Sequence, residues 1–589
     1  MQKPIDFYIS QKKYFTNKAK VLNKKLTNTS FLRLLVFVST AIAIYYFLGN
    51  IKFVISILLL GLSVFIFLIV KHNDLRYQQK KANELIKINQ KEINILNGDY
   101  ENYDSGDEFT DANHFFSFDI DLFGKGSFFQ YLNRTTTKSG TQELAKILTE
   151  NSIGGIEKKQ KALEGLSKKP KWRQDYSATA KMISVDTDSK SILQWIKDYN
   201  YFVADHFSFI PLIFSFISFI LIIISFLKIT PFSVLFLWFL IGISIIFFYI
   251  KKINDLYNNA DKVKSNFNQY HKLLDLIEKE EFTAPLLQEK QKKIQTEKEK
   301  ASLILKKFSK ILDAFDQRNN MIFGILGNGF LLWDLQQSFK IEKWIKNYHD
   351  QVENWFDVIA FFDVQNSLAN YHFNHPNHTF PVINKNDMVI DSKNLGHPLI
   401  KKNQRIDNDF IIQKKEFFII TGANMAGKST FLRTVSLSIV MANIGLPVCA
   451  EKYEYTPIKL ITSMRTSDSL SKDESYFFSE LKRLKFIVEE IKTDQYFIVL
   501  DEILKGTNST DKAIGSKRFV EKLVNSGSTG IIATHDLSLC QIEKDYTQIK
   551  NKYFDAEILN NELHFDYKLK KGICQNMNAS FLLKKMEIV

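Results

Sequence analysis

The stretch TGANMAGKST, residues 421–430, sets Gly422, Gly427, Lys428 and Ser429 in the spacing G-x-x-x-x-G-K-[ST]. That order of residue types suits the cradling of a polyphosphate. Glycines let backbone N–H groups turn toward phosphate oxygens at a helix N-terminus. Lys428 is expected to meet the β and γ phosphates, Ser429 to offer a hydroxyl to Mg²⁺, and Thr430 to complete the cradle. The flanks agree, since EFFII reads as a buried strand and STFLRTVSLSIVMA as a helix. A second element, QYFIVLDE, is an apolar strand that delivers Asp501 to the Mg²⁺ shell and Glu502 to the attacking water. A third, TGIIATHD, ends in His535, either a sensor of the γ-phosphate or a structural histidine. The expected cofactors are therefore ATP and Mg²⁺, and the expected reaction is ATP hydrolysis, with Lys428, Glu502 and His535 as its catalytic groups.

The elements that must carry this cradle are unusual in composition. A chain of 589 residues exceeds one hydrophobic core, so several domains are expected. Its net charge of +14 suits a phosphate-rich partner, either nucleic acid or the anionic face of a membrane. Cys449, Cys540 and Cys574 are far apart and form no CxxC pair, which argues against a disulfide framework or a zinc site and for a reducing cytosol. Residues 34–48, 53–70, 207–227 and 229–250 lack charged side chains. A helix needs ~20 apolar residues to cross the hydrocarbon layer, so these runs predict four transmembrane helices in two hairpins. Lysines and arginines before and after the hairpins, among them Lys24, Lys25, Lys71, Arg76, Lys251 and Lys252, put all hydrophilic regions on the cytoplasmic side. No cleavage site precedes the second run, so removal of the first run as a signal peptide is not expected.

Between and after the hairpins the pattern is helical. Ile304, Phe308, Ile311, Leu312 and Phe315 fall on one helix face, and Lys-rich stretches such as QEKQKKIQTEKEK read as solvated faces of long amphipathic helices. Pro376 and Pro381 break the helical pattern before strand-like sequence. The chain divides on this reading into a basic cytoplasmic leader (1–30), a transmembrane hairpin (31–71), a helical region (72–207), a second hairpin (208–251), a further helical core or lever region (252–375) and an ATPase domain (376–589).

TGANMAGKSTFLRT, SMRTSDSLSKDESYFFSELKRL, VLDEILKGTNSTDK and ATHD together resemble the four ATPase motifs of the MutS family, dimeric mismatch-repair ATPases related to ABC-type ATPases. NLGHPLI resembles the segment leading into that ATPase domain, and residues 119–148 the start of the family's helical core, where GKGS reads as structural packing. The resemblance implies an α/β ABC-type P-loop ATPase domain joined to a long-helix MutS-like core and lever. It implies that Asn424 lies near the γ-phosphate, that Ser475 reaches the nucleotide of a partner subunit in trans, that Asp511 belongs to a loop crossing the dimer interface, and that the chain is a homodimer. Ala423 and Ala426 replace a proline and a glycine of the usual loop, and Asp473-Glu474 stand where the family has Gly-Arg. The Phe-x-Glu pairs at Phe478 and Phe519 fall inside the ATPase half, so base-specific mismatch sensing is not expected.

The leading expectation is a MutS-like ATPase in the cell's inner (cytoplasmic) membrane, multi-pass, with its ATPase domain in the cytoplasm and a helical clamp driven by ATP. Its partners would be a second copy, the lipid bilayer, and double-stranded DNA held without sequence or mismatch specificity, or a protein in place of DNA. An ABC-type transporter and a nucleotide-gated membrane scaffold for other proteins are the alternatives.

Overall fold

A computed structural model describes residues 3–182, 188–203, 209–295, 299–384, 386–465, 476–559 and 562–575. The first part is helical: α1 (Pro4–Tyr46), α2 (Ile51–Leu96), α3 (Phe128–Leu132), α4 (Lys138–Thr149), α5 (Ile156–Ser167), α6 (Pro170–Lys181), α7 (Ser189–Lys197), α8 (Ile210–Phe226), α9 (Phe232–Lys279), α10 (Pro285–Lys292), α11 (Ala301–Asp316), α12 (Met321–Leu331) and α13 (Trp333–Asn374). Strands then alternate with helices: β1 (Val382–Ile383), β2 (Met388–Leu395), β3 (Asn408–Gln413), β4 (Phe417–Gly422), α14 (Lys428–Asn443), β5 (Lys452–Tyr455), β6 (Lys459–Ser463), α15 (Tyr476–Glu490), β7 (Tyr496–Asp501), α16 (Ser509–Asn525), β8 (Thr529–Ala533), β9 (Ile549–Phe554), β10 (Glu557–Leu559), β11 (Glu562–His564) and β12 (Leu569–Lys571).

Among the described residues three helices, α1, α2 and α9, are long and apolar enough to cross a membrane. Each also extends well beyond its apolar part, because nothing in the sequence stops the helix where the composition changes. The basic residues at the N-terminus are the first half of α1, which runs unbroken through residue 30 and packs Ala19 and Leu22 on Ala82 of α2. Asn50 turns the chain by accepting from the Lys52 amide. The remaining expected span is α8, whose 17 residues make it shorter than the others. Its end is set by Lys228, held at φ 60° with its amide on the Ser225 carbonyl. Phe214 of α8 stacks on Trp238 of α9 at 4.5 Å, and the Trp238 indole donates to Ser218 Oγ at 2.8 Å.

In α11, Ile304, Phe308, Leu312 and Phe315 are buried as their spacing predicts, and Phe308 lies flat on Trp344 of α13 at 3.8 Å. The Lys-rich stretch before it is not one long helix. α10 ends at Lys292 because burying Ile294 draws the chain inward, and Gln295 pairs with Lys300 before α11 begins. In the GKGS segment, Ser127 caps α3 through the Gln130 amide at 3.1 Å, and Phe128 and Phe129 are buried.

α13 connects these helices to the strands. Three-quarters of the way along it, buried Asp363 accepts from the amides and hydroxyls of Thr136 and Thr137 at 2.8–2.9 Å. Near its C-terminal end, Asn374 donates to the Glu92 carboxylate of α2 at 2.9 Å and accepts from the Tyr8 hydroxyl of α1 at 2.7 Å. Arg134 pairs with Glu92 at 2.5 Å. The first hairpin is thereby bonded to the end of α13 just before the strands start.

The strands form two main sheets. One has the order β1-β5-β2-β3, and the other the order β12-β9-β4-β8-β7-β6, parallel except at its β12 edge. The central strands of the second sheet are covered on both faces and read as continuous apolar runs, as parallel strands must.

Burial raises the Glu92 pKa, but the Arg134 guanidinium and the Asn374 amide outweigh it, so the carboxyl titrates below its ordinary value of 4.5. A depressed carboxylate stabilises the fold above the unfolded pKa and loses that contribution as pH falls through the folded one. Glu92→Gln, which leaves Arg134 buried without its countercharge, is expected to cost about 3 kcal/mol at pH 7. Thermal unfolding in detergent should show the full difference from wild type above pH 4.5 and a shrinking one in acid.

Candidate nucleotide-binding site

The six-stranded sheet brings the three sequence motifs to one edge. β4 ends at Gly422, β7 at Asp501 and β8 at Ala533, with Asp501 directly opposite Ala533 in the register. Loops that follow the carboxyl ends of parallel strands are where ligands bind in open α/β sheets. Gly422 (φ 155°) lies so close to the neighbouring strand that a Cβ would come within 2.7 Å of the Phe554 carbonyl. Gly427 (φ 100°) caps α14, and a Cβ there would sit 3.1 Å from the Tyr567 ring. The first amides of α14 have no acceptor within the helix and form an anion-binding end. Ala423 and Ala426, the departures from the usual loop, are buried.

Lys428 is folded back on this loop, donating to the carbonyls of Gly422 and Ala423 at 2.8 and 2.9 Å. Burial lowers its pKa against the opposing pull of Asp501 and Glu502. Ser429 Oγ donates to Asp501 Oδ2 at 2.7 Å, which ties the start of α14 to the end of β7. One hydroxyl beside one carboxylate fits Mg²⁺, a hard cation that takes few protein ligands and completes its shell with water and phosphate oxygens. Asn424 and Thr430 are exposed and line the same cavity.

Glu502 follows Asp501 with a strained backbone (φ 50°), its amide on the Ala533 carbonyl at 2.9 Å. Its carboxylate pairs with Lys512 of α16 at 3.1 Å and with Lys505 at 3.7 Å. Burial pushes the Glu502 pKa up, yet Lys512, Lys505 and His535 together pull it below the ordinary range. The next turn is held from α15, where the buried Glu480 carboxylate accepts from the Leu504 and Lys505 amides. His535 is half-buried in the same cavity, and burial, reinforced by Lys428, lowers its pKa. Its imidazole is therefore neutral at pH 7.

The cavity encloses about 540 Å³. Its lining also includes His397, Arg405 and Tyr567, which the motifs themselves do not contain. Burial and the nearby guanidinium groups of Arg433 and Arg405 bring His397 down to about 4. His397 had a signal, since it lies in NLGHPLI; Tyr567 had none, because only the return of the chain after β11 brings it over Gly427. Ser475 and the Asp473-Glu474 pair lie outside the described residues. Asp511 sits on the exposed first turn of α16, where Asn508 caps its amide at 2.8 Å.

Over part of its length the chain is similar to known proteins. Residues 418–585 match the family model MutS domain V. The chain is 33% identical over 204 residues to MutS protein homolog 4 of Homo sapiens, covering 33% of this chain and 21% of the relative. It is 30% identical over 234 residues to the DNA mismatch repair protein MutS of Thermotoga sp. (strain RQ2), covering 39% and 29%. It is 27% identical over 320 residues to that of Thermotoga maritima, covering 54% and 36%. The chain thus spans a fifth to somewhat over a third of the length of these relatives. The matched stretch holds the glycine-rich loop, the Asp501-Glu502 pair and His535 in one cavity, and over residues 418–585 the chain carries a domain of the MutS domain V type.

Proposed function

We propose that the protein is a membrane-anchored, ABC-type ATPase of the MutS kind that couples ATP binding and hydrolysis to the closing of a dimeric clamp. The observation that carries this reading is the Ser429–Asp501 hydrogen bond at the mouth of α14, with Glu502 one residue further on. The amides at the start of α14 bind the β and γ phosphates, while Lys428 exchanges the Gly422 and Ala423 carbonyls for phosphate oxygens. Ser429 and Asp501 hold Mg²⁺, which supplies charge neutralisation on the transferred phosphoryl group. Glu502 leaves Lys512 and Lys505, orients a water in line with the γ-phosphorus and accepts its proton as the bond to the β-phosphate oxygen breaks. Neutral His535 hydrogen-bonds the γ-phosphate and reports its loss.

Ser475 of a second copy closes the site, which makes the working unit a homodimer. The apolar parts of α1, α2, α8 and α9 anchor it in the cytoplasmic membrane, with the ATPase domain in the cytoplasm. The two relatives named DNA mismatch repair protein MutS motivate double-stranded DNA as the clamped ligand. Here the contacts are to phosphates and read no mismatch. One observation favours a second reading, a nucleotide-gated scaffold for proteins with little turnover: two lysines already hold Glu502.

Steady-state turnover by the full chain in detergent or vesicles separates these readings. Lys428→Ala is expected to abolish turnover, and Glu502→Gln to lower kcat at least ~100-fold while ATP still binds. Asp501→Asn should raise the Mg²⁺ concentration needed. Turnover by Glu502→Gln equal to wild type would overturn the hydrolytic role. For the ligand, the logarithm of the DNA association constant is expected to fall linearly with the logarithm of salt concentration; an affinity indifferent to salt removes DNA and leaves the scaffold.

A further inference from the structure

A short helix that the sequence reading did not single out lies against the second hairpin. α12 follows α11 after a four-residue turn and presents Met321 (78% exposed), Ile322 (72%), Ile325 (46%) and Leu326 (50%) as one outward stripe. Eleven residues extend about 16 Å, roughly half of a hydrocarbon layer ~30 Å thick. Its opposite side is fitted to α9. Gly242 and Gly329 meet so closely that a Cβ on Gly242 would fall 2.3 Å from the Gly329 carbonyl, and Phe330 packs on Phe239 at 5.3 Å between centroids. Gly242 is nine residues before Lys251, the first charge after the apolar part of α9, so the contact lies about 13 Å inside that boundary.

The chain then turns back. Leu332 adopts φ 49°, and α13 begins at once. Three hydrogen bonds close this turn from within: the Leu331 carbonyl accepts from Ser215 Oγ at 3.1 Å and Gln336 Nε2 at 2.8 Å, and the Asn328 side chain accepts from the Asp334 amide at 2.9 Å. Backbone inside hydrocarbon needs this kind of internal bonding, since no water is there to supply it. Arg318, before α12, pairs with Asp334, two residues past the Leu332 turn, at 3.1 Å, and further along α13 Glu342 accepts from the Phe202 and Val203 amides ahead of α8 at 2.9 and 3.1 Å. α13 therefore leads back to the side from which α8 starts.

We infer that α12 is a re-entrant membrane helix, dipping from the cytoplasmic side to near the middle of the bilayer beside α8 and α9, with lipid hydrocarbon as the occupant of its exposed stripe. This rests on the membrane-anchoring reading above. It adds a third apolar helix to that hairpin, one joined directly to α13.

The test uses the full-length chain, whose Cys449, Cys540 and Cys574 are buried. Ile325→Cys, Phe219→Cys in α8 and Lys310→Cys in α11, each carrying an environment-sensitive fluorophore, are reconstituted into vesicles of phosphatidylcholine with and without brominated acyl chains. Brominated lipid is expected to quench the labels at 325 and 219 at least two-fold and to leave that at 310 unchanged. Lys343→Cys in α13, beyond α12, should react with an impermeant maleimide from the same side as Lys310→Cys. Quenching at 219 but not at 325 overturns the inference and leaves the anchor standing, with a protein surface covering α12. Reaction of the cysteines at 343 and 310 from opposite sides would also overturn it. Quenching at neither 219 nor 325 removes the anchor and, with it, the re-entrant helix.

Discussion

The Asp363 carboxylate is fully enclosed, and its four bonds to Thr136 and Thr137 are what hold α13 in one place along its length. Burial raises its pKa, and each of those bonds works against that rise. A charge so placed is costly to leave unpartnered, so the position of the Thr135–Thr137 segment on α13 has essentially one solution. The fit is close enough that a Cβ on Gly140 would fall 2.3 Å from the carboxylate. From this fixed point α13 extends one way to the α12 turn and the other way to Asn374, beside Glu92 and Tyr8. Both hairpins are therefore referenced to one helix.

The helical part is also bonded to the far edge of the six-stranded sheet. Arg483 of α15 donates to the carbonyls of His114, Phe115 and Thr462, and Asp119 accepts from Thr462 Oγ1 at 2.5 Å and the Arg465 amide at 2.8 Å. α15 also carries Glu480, which holds the turn after Glu502. One helix thus touches both the loop that places Glu502 and the segment leading into α3. A change of charge in the nucleotide cavity has a bonded route to the helical layer through groups with few alternative partners. In the described state Lys428 rests on loop carbonyls and Glu502 on lysines, so the site is electrically satisfied before any ligand enters.

Some features were legible in the residues because they depend on short-range constraints. A glycine-rich loop between a buried strand and a helix has few ways to fold, so Gly422, Gly427, Lys428 and Ser429 could be placed from spacing alone. The strand ahead of Asp501 and Glu502 was readable because parallel strands covered on both faces must be continuously apolar. Long uncharged runs were readable for the same reason, since composition decides solvent preference. α12 escaped because its uncharged run, residues 319–333, is too short for a span and is interrupted by Gly324, Gly327 and Gly329. Of these, Gly329 packs against Phe239 of α9, while Gly324 lies on the Arg318 carbonyl and Gly327 beside Phe323 and Trp333, contacts visible only once the chain has folded back.

What the sequence determined by itself was therefore local: the glycine-rich loop between strand and helix, the carboxylate pair at the end of its strand, the apolar runs and the helical faces, all set by neighbours within a few residues of one another. Tertiary structure alone decided which distant groups share a site: Lys512 on Glu502, Tyr567 over Gly427, Glu92 on Arg134 and Asn374, and Arg318 on Asp334. The physical reason is that charge pairing and close packing act through space over a few ångströms. Residues tens or hundreds of positions apart acquire a partner only when the folded chain brings them within that reach.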